Sequence, residues 1–349
     1  MRLTIRELAD KAQWEKAGIQ LPKFNREAMI EATSKSPQWV HFGPGNIFRA
    51  FPAAVQQALL EEGAASTGIV VVEGYDYEVI DKAFLPHDNL TLSVTLKANG
   101  STDKTVIASI AEALKADCGD KDFARLQEIF RNPSLQMVSF TITEKGYSLT
   151  SANGAFVPGV EQDFQNGPAA PASSMGKVAA LMHQRYLAGA LPVSLVSMDN
   201  CSHNGDKLRD AVLAFARAWQ KNGHTDAGFS AYLENSGAVG FPWSMIDKIT
   251  PRPDDSVKAM LASGGVEGLE GQVTAKGTYI APFVNAEETG YLVIENVFPN
   301  GKPPLEKKGV IFTDKETVDK VEKMKVCTCL NPLHTALAVF GCRRCAVSA

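Results

Sequence analysis

WVHFGPGNIFR, residues 39–49, is the stretch on which the fold turns. The short run Trp39-Val40-His41-Phe42 leads into Gly43-Pro44-Gly45, after which Phe51, Val55 and Leu59 recur at four-residue spacing. The run reads as a buried strand, Gly-x-Gly as a tight turn, and the spaced apolar residues as one face of a helix. Strand, glycine turn and helix in that order open a dinucleotide-binding α/β unit. Glycine lets the backbone turn sharply and approach a pyrophosphate, which then sits at the positive end of the helix. Phe48 stands where the usual fingerprint has a third glycine, and Pro52 falls early in the helix. Taken alone, the motif also fits a tight turn with a purely structural role.

The next strand candidate, residues 69–73 (IVVVE), ends in Glu73, 30 residues after Gly43. An acid in that place hydrogen-bonds the adenosine ribose 2′-hydroxyl and repels a 2′-phosphate, so NAD is expected over NADP. Asp76 competes for the role, and Glu73 has the plainer reading of a residue that closes a strand. Residues 137–142 and 193–198 are further short apolar runs, with long helix-like and loop-like stretches between them. Such strands separated by helices imply a parallel sheet covered on both faces, a doubly wound α/β domain. From about residue 250 Pro, Gly and charge increase around a strand pair near 291–297, and then the pattern turns helical. Thr313-Asp314-Lys315-Glu316 reads as a capping box, Thr313 at N-cap and Glu316 at N3, opening a helix to about Val326. Val318, Val321 and Lys325 share its inward stripe. Asn331-Pro332 reads as the cap and first position of another helix, with His334 in its first turn.

The chain has 349 residues, a formal net charge of −4 and 45% hydrophobic residues. That size suits one large or two modest domains. The charge balance argues against electrostatic nucleic-acid binding. No run of about 18 apolar residues is present, so no membrane span is expected. The N-terminal MRLTIRELADKAQWEK mixes charge signs without an apolar segment, and a cytoplasmic location is expected.

Five ordered stretches resemble the mannitol dehydrogenase family of polyol-specific long-chain dehydrogenases. They are HFGPGNIFR (41–49), TITEKGY (141–147), SMDNCSHNG (197–205), FPWSMIDKITP (241–251), and Lys325 followed by Asn331-x-x-His334. The resemblance implies a Rossmann-like doubly wound sheet followed by an all-helical C-terminal domain. Residues 1–312 would be the NAD-binding domain with an N-terminal extension, and 313–349 the start of the helical substrate domain. It further implies zinc-independent hydride transfer between NAD and a secondary alcohol or its ketone, on a polyol or sugar acid. The D-mannonate/D-fructuronate pair is preferred, with mannitol/fructose or altronate/tagaturonate as alternatives. By the same resemblance Lys325 is the acid/base, Asn200 and Asn331 polarise the carbonyl oxygen, and His334 holds the substrate. Gly43, Gly45, Asn46, Arg49, Glu73, Asp76, Thr143 and Glu144 would surround the cofactor. Asn204, Asp247 and Lys248 would shape the substrate pocket, Lys248 meeting a carboxylate. Family members are expected to be monomeric.

The residue chemistry is compatible with these roles. Desolvating a lysine on an apolar stripe favours the neutral amine that accepts an alcohol proton, and amide donors stabilise an alkoxide without adding charge. Each residue also has a plainer reading. Lys325 snorkels to water, Asn331 only caps a helix, His334 is an ordinary first-turn residue, and Asp199-Asn200 begins a loop. The spacing departs from the family by one residue: Lys325 precedes Asn331 by six positions rather than five, and Lys323 is the less favoured alternative base.

Of six cysteines, Cys327, Cys329, Cys342 and Cys345 form C-x-C and C-x-x-C around His334, a zinc pattern. The intervening LNPLHTALAVFG reads as an apolar helix rather than a ribbon loop, so no metal is expected. CRRCAVSA follows that helix directly, which suggests a truncated helical domain and, as a second reading, an NAD-binding protein without turnover.

Overall fold

The computed structural model describes residues 1–325 together with 328, 332, 333, 335–337, 339 and 340. Six strands form one parallel sheet: β1 (Trp39–Phe42), β2 (Ile69–Glu73), β3 (Ile110–Lys115), β4 (Met137–Phe140), β5 (Val193–Ser197) and β6 (Val239–Gly240). Their order is β3-β2-β1-β4-β5-β6, the doubly wound arrangement. Alternation along the strands explains why both faces are covered. Trp39, Ile69, Val71 and Met137 enter one core, while Val40, Phe42, Val70, Val72, Val138 and Phe140 enter the other. Strand order reverses between β1 and β4, leaving a crevice beyond their carboxyl ends.

The strand expected over 69–73 forms with those bounds, whereas those expected over 137–142 and 193–198 end at Phe140 and Ser197. Between β2 and β3 the chain lays down an antiparallel pair, Thr91–Leu96 and Thr102–Ile107. Ile19–Gln20 joins one edge of this pair and Phe283–Glu287 the other, both parallel. The N-terminal extension is thereby woven into a second sheet, with Leu3, Trp14 and Ile19 buried against Leu92, Val94 and Phe283.

The strand near 291–297 is Gly290–Glu295, antiparallel to Ser244–Lys248 and parallel to Ile311–Thr313. Thr313 thus belongs to a strand, and the cap of the following helix, Lys315–Lys323, is Asp314, whose carboxylate accepts from the Thr317 amide at 2.8 Å. Glu316 pairs with Lys320 instead of closing a capping box. The proposed division at 312/313 cuts this strand, and the helix rests Val318 on Trp243, Met245 and Val293. Among the described residues no helix is long and apolar enough to cross a membrane.

Candidate active site

Gly43 follows β1 with φ +104°, and a Cβ there would lie 2.1 Å from the Thr141 carbonyl oxygen. Only glycine fits that turn. A Cβ on Gly45 would meet nothing within 4 Å, so this backbone faces open space. The helix that follows is not continuous. Asn46–Ala50 stops at Phe51, and Pro52 opens a second helix, Pro52–Glu61, at its first position, where proline's missing N–H is harmless. Asn46 accepts from Arg49 at 2.9 Å, and Arg49 donates to the Ala281 carbonyl at 2.7 Å. Burial lowers the Arg49 guanidinium pKa to about 10.

The crevice opens into a cavity of about 1190 Å³ bordered by Gly43, Gly45, Asn46, Arg49, Glu73, Asp76 and Thr143. Glu73 Oε1 accepts from the Tyr75 and Asp76 amides at 2.7 and 3.0 Å, and burial raises its carboxyl pKa. Asp76 is itself buried, and its Oδ2 accepts from the Thr274 hydroxyl at 2.6 Å. Each of the two competing acids has one carboxylate oxygen engaged with protein; Asp76 is buried, whereas Glu73 closes β2 partly exposed at the cavity wall.

Across the crevice, Thr143 adopts φ +63°, a strained conformation for a β-branched residue. Asp199 holds it there, accepting from the Ile142 and Thr143 amides at 2.9 Å each and from the Tyr147 hydroxyl at 2.5 Å. Burial raises the Asp199 pKa, against these hydrogen bonds. Asp199 was legible only as the start of a loop, and its role depends on a partner more than 50 positions away. Lys177 and Lys276 also border the cavity without any sequence signal. Lys177 donates to the Tyr77 hydroxyl at 2.7 Å and to the Gly74 carbonyl at 3.2 Å; Lys276 lies over the Tyr75 ring at 4.0 Å.

Several sequence candidates do not line this cavity. Glu144 is exposed and paired with Lys207, turned away from the cavity. Asn200 is exposed beyond β5. Asn204 is buried, accepting from the Ser244 amide at 3.0 Å and donating to the Ser244 and Asp199 carbonyls at 2.9 and 3.0 Å. It staples the β5 loop to strand Ser244–Lys248 instead of facing a substrate. The Lys248 ammonium donates to the Glu287 and Glu288 carbonyls at 2.5 and 3.2 Å, so it is already committed and does not offer a free carboxylate partner. Asp247, on the same strand, pairs with Lys325, whose side chain is only 11% exposed and lies 5.0 Å from the Tyr291 ring centre. Lys323 is largely exposed and paired with Asp319. Met324 and Lys325 extend the helix as a π-type turn, the wider turn that accommodates one additional residue. Asn331 and His334 lie outside the described residues, as do the four cysteines of the zinc pattern. Among the described residues no group of three or more His, Cys, Asp or Glu is placed to hold a metal.

Residues 37–307 match the mannitol dehydrogenase Rossmann domain. The chain belongs to the mannitol dehydrogenase family. It is 54% identical to the D-mannonate oxidoreductase of Thermotoga maritima over 344 residues, 98% of this chain and 64% of that protein. It is 29% identical to the polyol:NADP oxidoreductase of Gluconobacter oxydans, over 93% of this chain and 61% of that one. The ternary complex of Pseudomonas fluorescens mannitol 2-dehydrogenase with NAD and D-mannitol superposes with a TM-score of 0.74 at 28% identity, covering 93% of this chain and 60% of the other. The chain thus spans less than two thirds of the length of these family members.

Proposed function

We propose that this member of the mannitol dehydrogenase family binds NAD in the β1/β4 crevice and interconverts a sugar-acid secondary alcohol with its ketone, D-mannonate and D-fructuronate being the preferred pair. The carrying observation is the cavity at the switch point, walled by the Gly43 turn on one side and Glu73 on the other. Its volume exceeds the ~300–1,000 Å³ common for small-molecule pockets, as an elongated two-nucleotide ligand requires. The open space beside Gly45 admits a pyrophosphate against the backbone, and Glu73 offers an acceptor to a ribose diol while repelling a 2′-phosphate. These residues fit NAD better than NADP. The sugar-acid preference rests on the 54% identity to D-mannonate oxidoreductase. Altronate/tagaturonate or mannitol/fructose turnover, and dinucleotide binding without turnover, are the alternatives. A monomer in the cytoplasm completes the reading.

When bound, the nicotinamide accepts or donates the hydride. In the oxidation direction Lys325 Nζ takes the proton of the reacting hydroxyl as the carbon gives up its hydride; in reduction it returns that proton to the carbonyl oxygen. Asp247 holds the amine of Lys325, and Tyr291 bounds it on one side. Asn200 and Asn331 supply amide donors to the oxygen as charge develops, and His334 orients the substrate. Incubating the purified chain with NADH or NADPH and a panel of keto-uronates and ketoses, while following absorbance at 340 nm, tests this. NADH consumption with fructuronate is expected. Dinucleotide binding without oxidation of any member leaves the non-turnover reading in place of the enzyme.

A further inference from the structure

Beneath the glycine turn lies a buried row of polar groups that the proposed chemistry does not use. Trp39 Nε1 donates to Ser139 Oγ at 2.7 Å; His41 Nδ1 is 2.7 Å from the same oxygen; His41 Nε2 is 2.9 Å from Thr141 Oγ1; and the Thr141 hydroxyl donates to the Gly43 carbonyl at 3.0 Å. Trp39, His41 and Ser139 are fully buried or nearly so. Indole N–H only donates, so Ser139 Oγ accepts from Trp39 and has one proton of its own to give. Given to His41 Nδ1, it leaves Nε2–H to donate to Thr141, whose hydroxyl proton then goes to Gly43. Every donor is used once. In the opposite sense the Ser139 proton lacks an acceptor among these partners and the Gly43 carbonyl loses its donor.

We infer that His41 is a positioning residue for dinucleotide binding: as the neutral Nε2–H tautomer it completes a one-way hydrogen-bond row that holds the Gly43 carbonyl to Thr141 and so fixes the turn that receives the pyrophosphate. The row crosses from β1 to β4 twice, at the pair of strands that frames the crevice. Gly43 has no slack, since its φ of +104° brings it against Thr141, where a Cβ would lie 2.1 Å from the carbonyl oxygen. Burial drives the His41 pKa down to about 3, which keeps the ring neutral through the physiological range, and the ring stacks on Phe48 at 4.1 Å, which fixes its plane.

This inference rests on the reading of the crevice as an NAD site, and its test separates the two. ¹⁵N-histidine spectra of the unliganded protein, with His41 assigned by the signal lost in H41Q, should show Nδ1 unprotonated and Nε2 protonated, unchanged as pH falls through the range where exposed histidines titrate. Isothermal titration with NADH should give a Kd about tenfold weaker for H41F, which keeps the stack on Phe48, and for T141V, with T141S restoring the wild-type value. The two losses should not add in the double variant, because both break one row. An Nδ1–H tautomer, or a ring that titrates like an exposed histidine, overturns the proposal even if the variants fail to fold. So does wild-type-like NADH affinity in folded H41F and T141V. A wild type that does not bind NADH overturns the proposal together with the NAD reading, whatever tautomer the spectra show.

Discussion

In the proposed NAD site, Glu73 is the residue on which cofactor choice would turn. Its folded pKa is raised by burial, so folding disfavours the ionised form. That penalty is present above the folded pKa and vanishes as pH falls below the unfolded value. Glu73→Gln keeps an oxygen for the Tyr75 and Asp76 amides and removes the charge. It should leave thermal stability at neutral pH unchanged or slightly higher, weaken NADH binding by roughly tenfold, consistent with loss of a charge-assisted hydrogen bond of about 1.5 kcal/mol or more, and narrow the gap to NADPH. Calorimetric titration with both dinucleotides over a pH series checks this. Wild-type affinity should fall as pH drops through the raised pKa, and the variant should lack that dependence. At Lys325 the expectation is complementary: Lys325→Ala should lower kcat by roughly 10²–10⁴, the usual worth of a general acid/base, with NADH affinity unchanged in titration. The position of Glu73 at the end of an apolar strand was legible from local pattern, whereas Lys325 was singled out by the family resemblance. The engagement of Lys248 was not legible, because the carbonyls that hold it are 39 and 40 positions away. Lys177 and Lys276 gave no signal for the same reason.

Elements were readable where period and turn residues agreed. β1, its glycine turn and β2 have apolar runs too short for helices and a glycine at the bend, and they formed as expected. β3 was missed because its sequence, IAEALK, is rich in helix formers and becomes a strand only through the parallel ladder it forms with β2. The cap of the helix Lys315–Lys323 shifted by one residue because Thr313 pairs in a strand, leaving Asp314 to receive the free amides. Tertiary hydrogen bonding also decides an element the sequence left unmarked, the lower end of the sheet. Arg185, fully buried on helix Ser174–Leu187, donates to the carbonyls of Phe130, Asn132, Leu135, Leu191 and Pro192, which lead into β4 and β5. Its pKa of about 10, depressed by burial, still leaves it charged at neutral pH. Arg185→Met should destabilise by about 1–3 kcal/mol or more, the cost of leaving buried carbonyls without a donor. Urea unfolding followed by tryptophan fluorescence measures it, and a loss below about 1 kcal/mol would mean that the five carbonyls find other donors.

At the scale of the whole molecule, the doubly wound sheet meets a small antiparallel hairpin, Gln272–Val273 with Tyr279–Ile280, at the cavity. Arg49 reaches from the glycine turn to Ala281, just past the hairpin's second strand, and Thr274, in the hairpin's turn, reaches Asp76 beside Glu73. Thr274 and Asp76 are both about 95% buried, so this bond is shielded from water and its loss leaves a buried carboxylate short of a donor. Lys276, on the same hairpin, donates to the Tyr75 carbonyl at 2.5 Å and lies over its ring, so the hairpin also fixes the loop that carries Glu73's amide partners. Thr274→Val keeps the volume and removes the hydroxyl. It should destabilise by about 1–3 kcal/mol, the desolvation penalty of an unpaired buried polar group. If the hairpin organises the adenosine end of the crevice, NADH affinity should fall in the same variant while the rate at saturating NADH stays near wild type. Urea denaturation and a titration with NADH read the two effects separately. Lost stability with unchanged affinity would reduce the hairpin to a scaffold, whereas a fall in both would make it one wall of the cofactor site.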